Sequence, residues 1–221
     1  MFPNISSATP PAEHLEWDFG DAPIVVSTHS KLITAIIRIP ARAITCLKNN
    51  LTQMLKESDG TAFISSVDCI SALLFVTMLR ARYERLQTEP TKSYVQEHKT
   101  PAHFSTAVNA RRLPQVPNDY FGNMFTTAAA TFDIEDFVPR EQGSTDSTFK
   151  LYARCALEIR KKLGEVDLEY VVGRLNILEN LVNPLDASKA MARASQTSLG
   201  GVRFGSLVDF GADLDFGKLC S

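Results

Sequence analysis

The chain has 221 residues, of which 44 % are hydrophobic and 22 % charged, and its net charge is −2. These are values of an ordinary globular protein, long enough to hide roughly 70 % of its unfolded surface on folding. The mixed, nearly balanced charge gives no case for nucleic acid, and the longest apolar run, 70–79, is about half a membrane span.

Residues 1–11 lack both a basic cluster and an apolar targeting core. Residues 1–23, broken by Pro3, Pro10, Pro11 and Pro23, read as a linker or leader, and 24–221 as the folded domain. Segment 25–39 is apolar and partly β-branched, so strand and helix stay open. A helix is expected over 41–56, with Ile44, Leu47, Leu51, Met54 and Leu55 near helical spacing and Asp59-Gly60 as its stop. The clearest helix spans 67–86. Ser66 is its expected N-cap, Asp68 suits the first turn, and Val67, Ile70, Leu74, Met78 and Ala81 share one face. Phe104, Thr106, Val108 and Ala110 alternate as in a strand, and a second strand is expected within 122–134. Amphipathic helices follow over 149–163 and 167–181, the second with Leu168, Val171, Val172, Leu175 and Leu178 along one face. The glycine-rich stretch 200–217 reads as short strands or turns. Strands mixed with long helices make the fold class α/β or α+β: a mixed sheet with packed helices.

Four segments carry a resemblance. Ile64-Ser65-Ser66-Val67-Asp68-Cys69-Ile70-Ser71-Ala72-Leu73-Leu74 is similar to "iSTnDALsAllW", and Ala81-Arg82 to the "AR" that closes the same helix. Asn109-Ala110-Arg111-Arg112-Leu113-Pro114, leading through Pro117 to Tyr120-Phe121-Gly122-Asn123, is similar to "vn-x-R-x-RL-x-P-x-LP-x-x-YFGN". Thr197-Ser198-Leu199 stands where "TSW" is common, and Asp209-Phe210-Gly211 in the place of "DFGWG". In this order they resemble the C-terminal half of BAHD acyl-CoA-dependent acyltransferases, and most nearly the fungal trichothecene 3-O-acetyltransferases. The pattern departs at Leu199 and at Ala212-Asp213, where tryptophan and Trp-Gly are usual.

The resemblance implies a chloramphenicol-acetyltransferase-like domain with an active-site channel against a second such domain. It implies acyl transfer from acyl-CoA, acetyl-CoA first, as co-substrate to a hydroxyl of a small fungal secondary metabolite, with no bound cofactor. The family's general base is the histidine of HxxxDG in the N-terminal domain, which is expected to be missing from this chain. A separate N-terminal half, or self-association, is therefore an expected partner. The alternative is a non-catalytic remnant that acts as a binding or interaction protein.

His14-Leu15-Glu16-Trp17-Asp18 matches the bare HxxxD pattern, followed by Phe19 rather than glycine. His14 and Asp18 are thus either a rearranged catalytic pair or part of a linker. His29 reads as a loop or core residue, and His98 and His103 as flanks of a strand; no metal site is expected from the four histidines. Arg111 and Arg112 are either a solvated pair or donors to a coenzyme A phosphate. Asn123 is either a turn cap or a channel residue. Thr197 and Ser198 are loop hydroxyls or neighbours of the acyl group. Asp209, Phe210 and Gly211 form a structural motif, because that motif lies away from the chemistry in the family. The scattered Cys46, Cys69, Cys155 and Cys220 fit a reducing compartment and a cytoplasmic location.

Overall fold

A computed structural model describes residues 35–59, 62–88, 102–110, 125–137, 145–180 and 201–205. Their elements are α1 (Ala41–Asp59), α2 (Ser66–Thr88), β1 (Ala102–Asn109), β2 (Phe125–Phe132), a 3-10 turn (Ile134–Phe137), α3 (Thr145–Gly164), α4 (Leu168–Glu179) and β3 (Gly201–Phe204). The expected 25–39 element lies outside the described residues up to residue 34, and 35–40 is irregular. The leader 1–23 and residues 206–217 of the glycine-rich stretch also lie outside them.

The described strands form a mixed sheet in the order β2-β1-β3. β1 and β2 pair antiparallel, with Phe104 opposite Ala130 and Asn109 opposite Phe125. β1 and β3 pair parallel, with His103 opposite Gly201 and Thr106 opposite Phe204. Strand β1 begins two residues earlier than the alternation suggests. His103 therefore does not flank the strand but lies within it, and its Nδ1 meets Thr131 Oγ1 at 3.1 Å across the β1–β2 ladder.

Helices α1, α2 and α3 pack together, and α3 also meets β2. Their core centres on Phe75 of α2. Its ring lies 5.7 Å from Phe104, 5.3 Å from Phe132 and 5.5 Å from Phe137, with edge-on or tilted contacts. Such ring pairs add about 0.5–1.5 kcal/mol each beyond simple burial. Leu51 and Leu55 reach this core from α1, and Leu151, Cys155, Ala156 and Ile159 from α3.

The buried face of α2 corrects the sequence expectation. Cys69, Ala72, Phe75, Val76 and Leu79 face the core, whereas Met78 is 40 % exposed, Ala81 is exposed, and Val67, Ile70 and Leu74 are only partly covered. The helix carries apolar side chains all round, so two stripes step by three and four. Spacing alone does not choose between them; the match of Phe75 to the aromatic sheet face does.

The N-cap of α2 is Ser65, one residue before the expected Ser66. Ser65 Oγ accepts from the Asp68 amide at 3.2 Å, and the Ser65 amide donates to Asp68 Oδ2 at 2.6 Å. This reciprocal box satisfies two amides that the first helical turn leaves without partners. Asp68 is only 1 % exposed, and the same Oδ2 accepts Arg160 Nε at 2.8 Å and Nη2 at 2.6 Å. One carboxylate thus caps α2 and ties it to α3. Arg160 also sits 5.6 Å from the Phe63 ring centroid, which Lys48 approaches to 5.7 Å.

Helix α4 follows α3 after a short turn at 165–167. Asp167 caps it by accepting the Tyr170 amide at 2.8 Å, and Val171 and Val172 are its buried apolar residues. Among the described residues no helix is long and apolar enough to cross a membrane.

Candidate functional site

Each candidate residue named from the sequence (His14, Asp18, Arg111, Arg112, Asn123, Thr197, Ser198, Asp209, Phe210 and Gly211) lies outside the described residues. What the fold gives is the frame to which they are attached. Strand β1 ends at Asn109 and the buried Ala110, immediately before Arg111. Strand β2 begins at Phe125, two residues after Asn123, and Phe125 pairs with Asn109. The segment bearing Arg111, Arg112 and Asn123 therefore leaves and re-enters the sheet at adjacent positions.

Strand β3 runs parallel to β1, so residue 205 and the segment toward Asp209 leave from that same end of the sheet. The Thr197-Ser198 segment enters β3 at Gly201, opposite His103. That anchor stands six residues back along β1, or about 20 Å at a usual strand rise. The described flanks of two motif segments thus lie at one end of the sheet, and that of the third lies toward the other.

The sheet end is held by α4, a feature not legible in the motifs. Tyr170 Oη donates to the Thr127 carbonyl at 2.7 Å. Arg174 Nη1 donates to Thr126 Oγ1 at 3.2 Å, and the guanidinium lies 5.4 Å from the Tyr170 ring centroid. Thr126 is buried, whereas its neighbour Phe125 is 51 % exposed. The start of β2 is thus held from α4 through both its main chain and a side chain. The sequence signal was thin: a tyrosine three residues after a capping aspartate, with its partner 43 residues away.

The two buried thiols, Cys69 and Cys155, offer no nucleophile. Burial, with Asp68 adding to it, pushes Cys69 up to about 11, and burial pushes Cys155 up to about 12. Both therefore stay protonated at neutral pH, and both pack in the core. Among the described residues no group of three or more His, Cys, Asp or Glu is gathered as metal ligands would be.

No protein-family model matches the chain. In an alignment 184 positions long that covers 72 % of the chain, it is 26 % identical to the O-acetyltransferase ptmV of Penicillium ochrochloron and covers 35 % of that protein. Over 147 residues, 66 % of its length, it is 29 % identical to the O-acyltransferase pigD of Monascus ruber and covers 28 % of it. Among solved structures it is similar to TRI101 of F. sporotrichioides complexed with coenzyme A and T-2. The TM-score is 0.50, with 19 % identity, over 77 % of this chain and 34 % of that one, a likeness of fold. The chain spans about a third of the length of these proteins. In sequence it is similar to these fungal O-acyltransferases, and in fold to TRI101, in each case over part of their length.

Proposed function

We propose that this chain forms the coenzyme A-facing part of an acyl-CoA-dependent O-acyltransferase, one that moves an acetyl group onto a hydroxyl of a fungal secondary metabolite. The observation that carries this reading is the β1–β2 hairpin. Its paired ends, Asn109 and Phe125, bracket the Arg111–Asn123 motif segment, in a fold shared with a protein solved with coenzyme A bound. Residues 24–221 are the acyltransferase-like unit in this reading.

In the reaction the acceptor hydroxyl oxygen bonds to the thioester carbonyl carbon. A histidine takes the hydroxyl proton, and the tetrahedral intermediate collapses with departure of the coenzyme A thiolate, which recovers that proton. Histidine suits the step because its ordinary pKa lies near neutrality. In this chain Arg111 and Arg112 would hold coenzyme A phosphates through paired N–H donors. Asn123, Thr197 and Ser198 would line the acceptor and acyl channel, and Asp209, Phe210 and Gly211 would brace it. The base is a histidine of an HxxxDG segment supplied from outside these 221 residues, unless His14 and Asp18 fill that role.

The test is acetyl transfer from acetyl-CoA to a panel of hydroxylated terpenoid and polyketide acceptors. The chain is assayed alone, as His14→Ala, and with a family HxxxDG domain added. Turnover that appears only with the added domain supports the reading. Turnover by the chain alone that His14→Ala abolishes moves the base to His14. No turnover in any arm favours the non-catalytic remnant.

A further inference from the structure

We propose that α4 is the positioning element of the candidate acyl-CoA segment, acting through Tyr170 and Arg174 on the start of strand β2. The functional part of this inference rests on the coenzyme A reading above.

Among the described strands β2 lies at the edge of the sheet. The two contacts from α4 fall on consecutive residues and differ in kind. Tyr170 takes the main-chain carbonyl of Thr127, and Arg174 takes the side-chain hydroxyl of the buried Thr126. Main-chain carbonyls lie near the plane of a sheet, while side chains stand across it. The grip therefore restrains β2 in two directions. The Arg174 guanidinium over the Tyr170 ring fixes the two contacts relative to each other.

The restraint passes directly to β1. Thr126 pairs with Val108 and Phe125 with Asn109, the last two residues of that strand. Both attachment points of the segment bearing Arg111, Arg112 and Asn123 are thereby set from α4. Stability alone does not require such chemistry. A polar hydrogen bond adds little net stability, but it is directional where apolar packing is not. Helix α4 already buries Val171 and Val172 for adhesion.

The experiment measures coenzyme A binding to the full chain by titration calorimetry, alongside urea stability. The variants are Tyr170→Phe, Arg174→Ala and Arg174→Lys. Arg154→Ala is the control: it breaks the ion pair with Asp136, which follows the far end of β2. Tyr170→Phe is expected to weaken binding about fivefold and Arg174→Ala about tenfold, the scale of one directed hydrogen bond. Arg174→Lys should recover part of the loss, while Arg154→Ala binds as the parent does. If the parent binds and Tyr170→Phe and Arg174→Ala bind equally well, the proposal is overturned. If the parent does not bind coenzyme A, the functional reading fails, and hydrogen exchange at amides 125–128 decides the positioning claim by itself. Faster exchange there in Tyr170→Phe and Arg174→Ala, but not in Arg154→Ala, supports it, and unchanged exchange overturns it.

Discussion

Helices α3 and α4 are separated by only a short turn, yet they are attached to the sheet in opposite ways. Helix α3 presents Leu151, Cys155, Ala156 and Ile159 to the core and meets α1, α2 and β2 through apolar contact. Its polar links to α2 are Arg160 to Asp68 and Thr148, which accepts from Arg80. Helix α4 is shorter, buries Val171 and Val172, and reaches β2 through Tyr170 and Arg174. Apolar contact is strong and undirected; polar contact is weaker and fixes geometry. The α3 side therefore carries most of the described apolar core, and the α4 side fixes the start of β2, next to the segment proposed above to meet coenzyme A. A change on the first side should lower stability, while a change on the second should alter binding with little loss of stability.

The largest effect is expected at the centre of the apolar core that α2 and α3 share with the sheet. Phe75→Ala removes the ring that meets Phe104, Phe132 and Phe137, and should cost about 4 kcal/mol in urea unfolding. Asp68→Ala deletes the α2 cap and leaves Arg160 without its carboxylate; a loss of about 3 kcal/mol is expected. An effect below about 1 kcal/mol would mean that the buried pair does not hold α2 to α3.

The two buried thiols give a pH signature of the same core. Their folded values, about 11 and about 12, lie above the ordinary 9.0, so the native state keeps protons that the unfolded chain releases. Stability from this source is fully present below pH 9 and is lost as the pH rises from 9 to 12. Denaturant midpoints measured across that range should fall, and Cys155→Ala should flatten part of the decline.

The smallest effect sharpens the assignment of faces on α2. Leu79→Ala should cost about 3 kcal/mol, because the side chain is buried. Its neighbour Met78 is 40 % exposed, and Met78→Gln should shift stability by less than about 0.5 kcal/mol. Equal losses at the two positions would show that both stripes of α2 are packed.

The elements of this fold were largely legible in the sequence because the helices are long and the strands alternate. The helix expected over 41–56 extends to Asp59, and those expected over 149–163 and 167–181 are Thr145–Gly164 and Leu168–Glu179. The failures are local and physical. Ser65 and Ser66 are chemically equivalent N-caps, and only the partner of Asp68 distinguishes them. The α2 core face was misread because its apolar stripes run on both sides. The ion pair of Asp68 with Arg160 spans 92 residues and the Tyr170 contact 43, separations at which no linear pattern signals proximity. The segment bearing Arg111, Arg112 and Asn123 stood out as a motif, and the fold adds where its flanks, Asn109 and Phe125, meet in the sheet. The position of Arg111 itself lies outside the described residues.

The most direct test of the account is titration of the full chain with coenzyme A, parent against Arg111→Ala. The account predicts saturable binding by the parent and at least tenfold weaker binding by the variant, the scale of a lost charge-assisted phosphate contact. Binding that Arg111→Ala leaves unchanged would contradict the phosphate role, and no binding by the parent would contradict the coenzyme A reading as a whole.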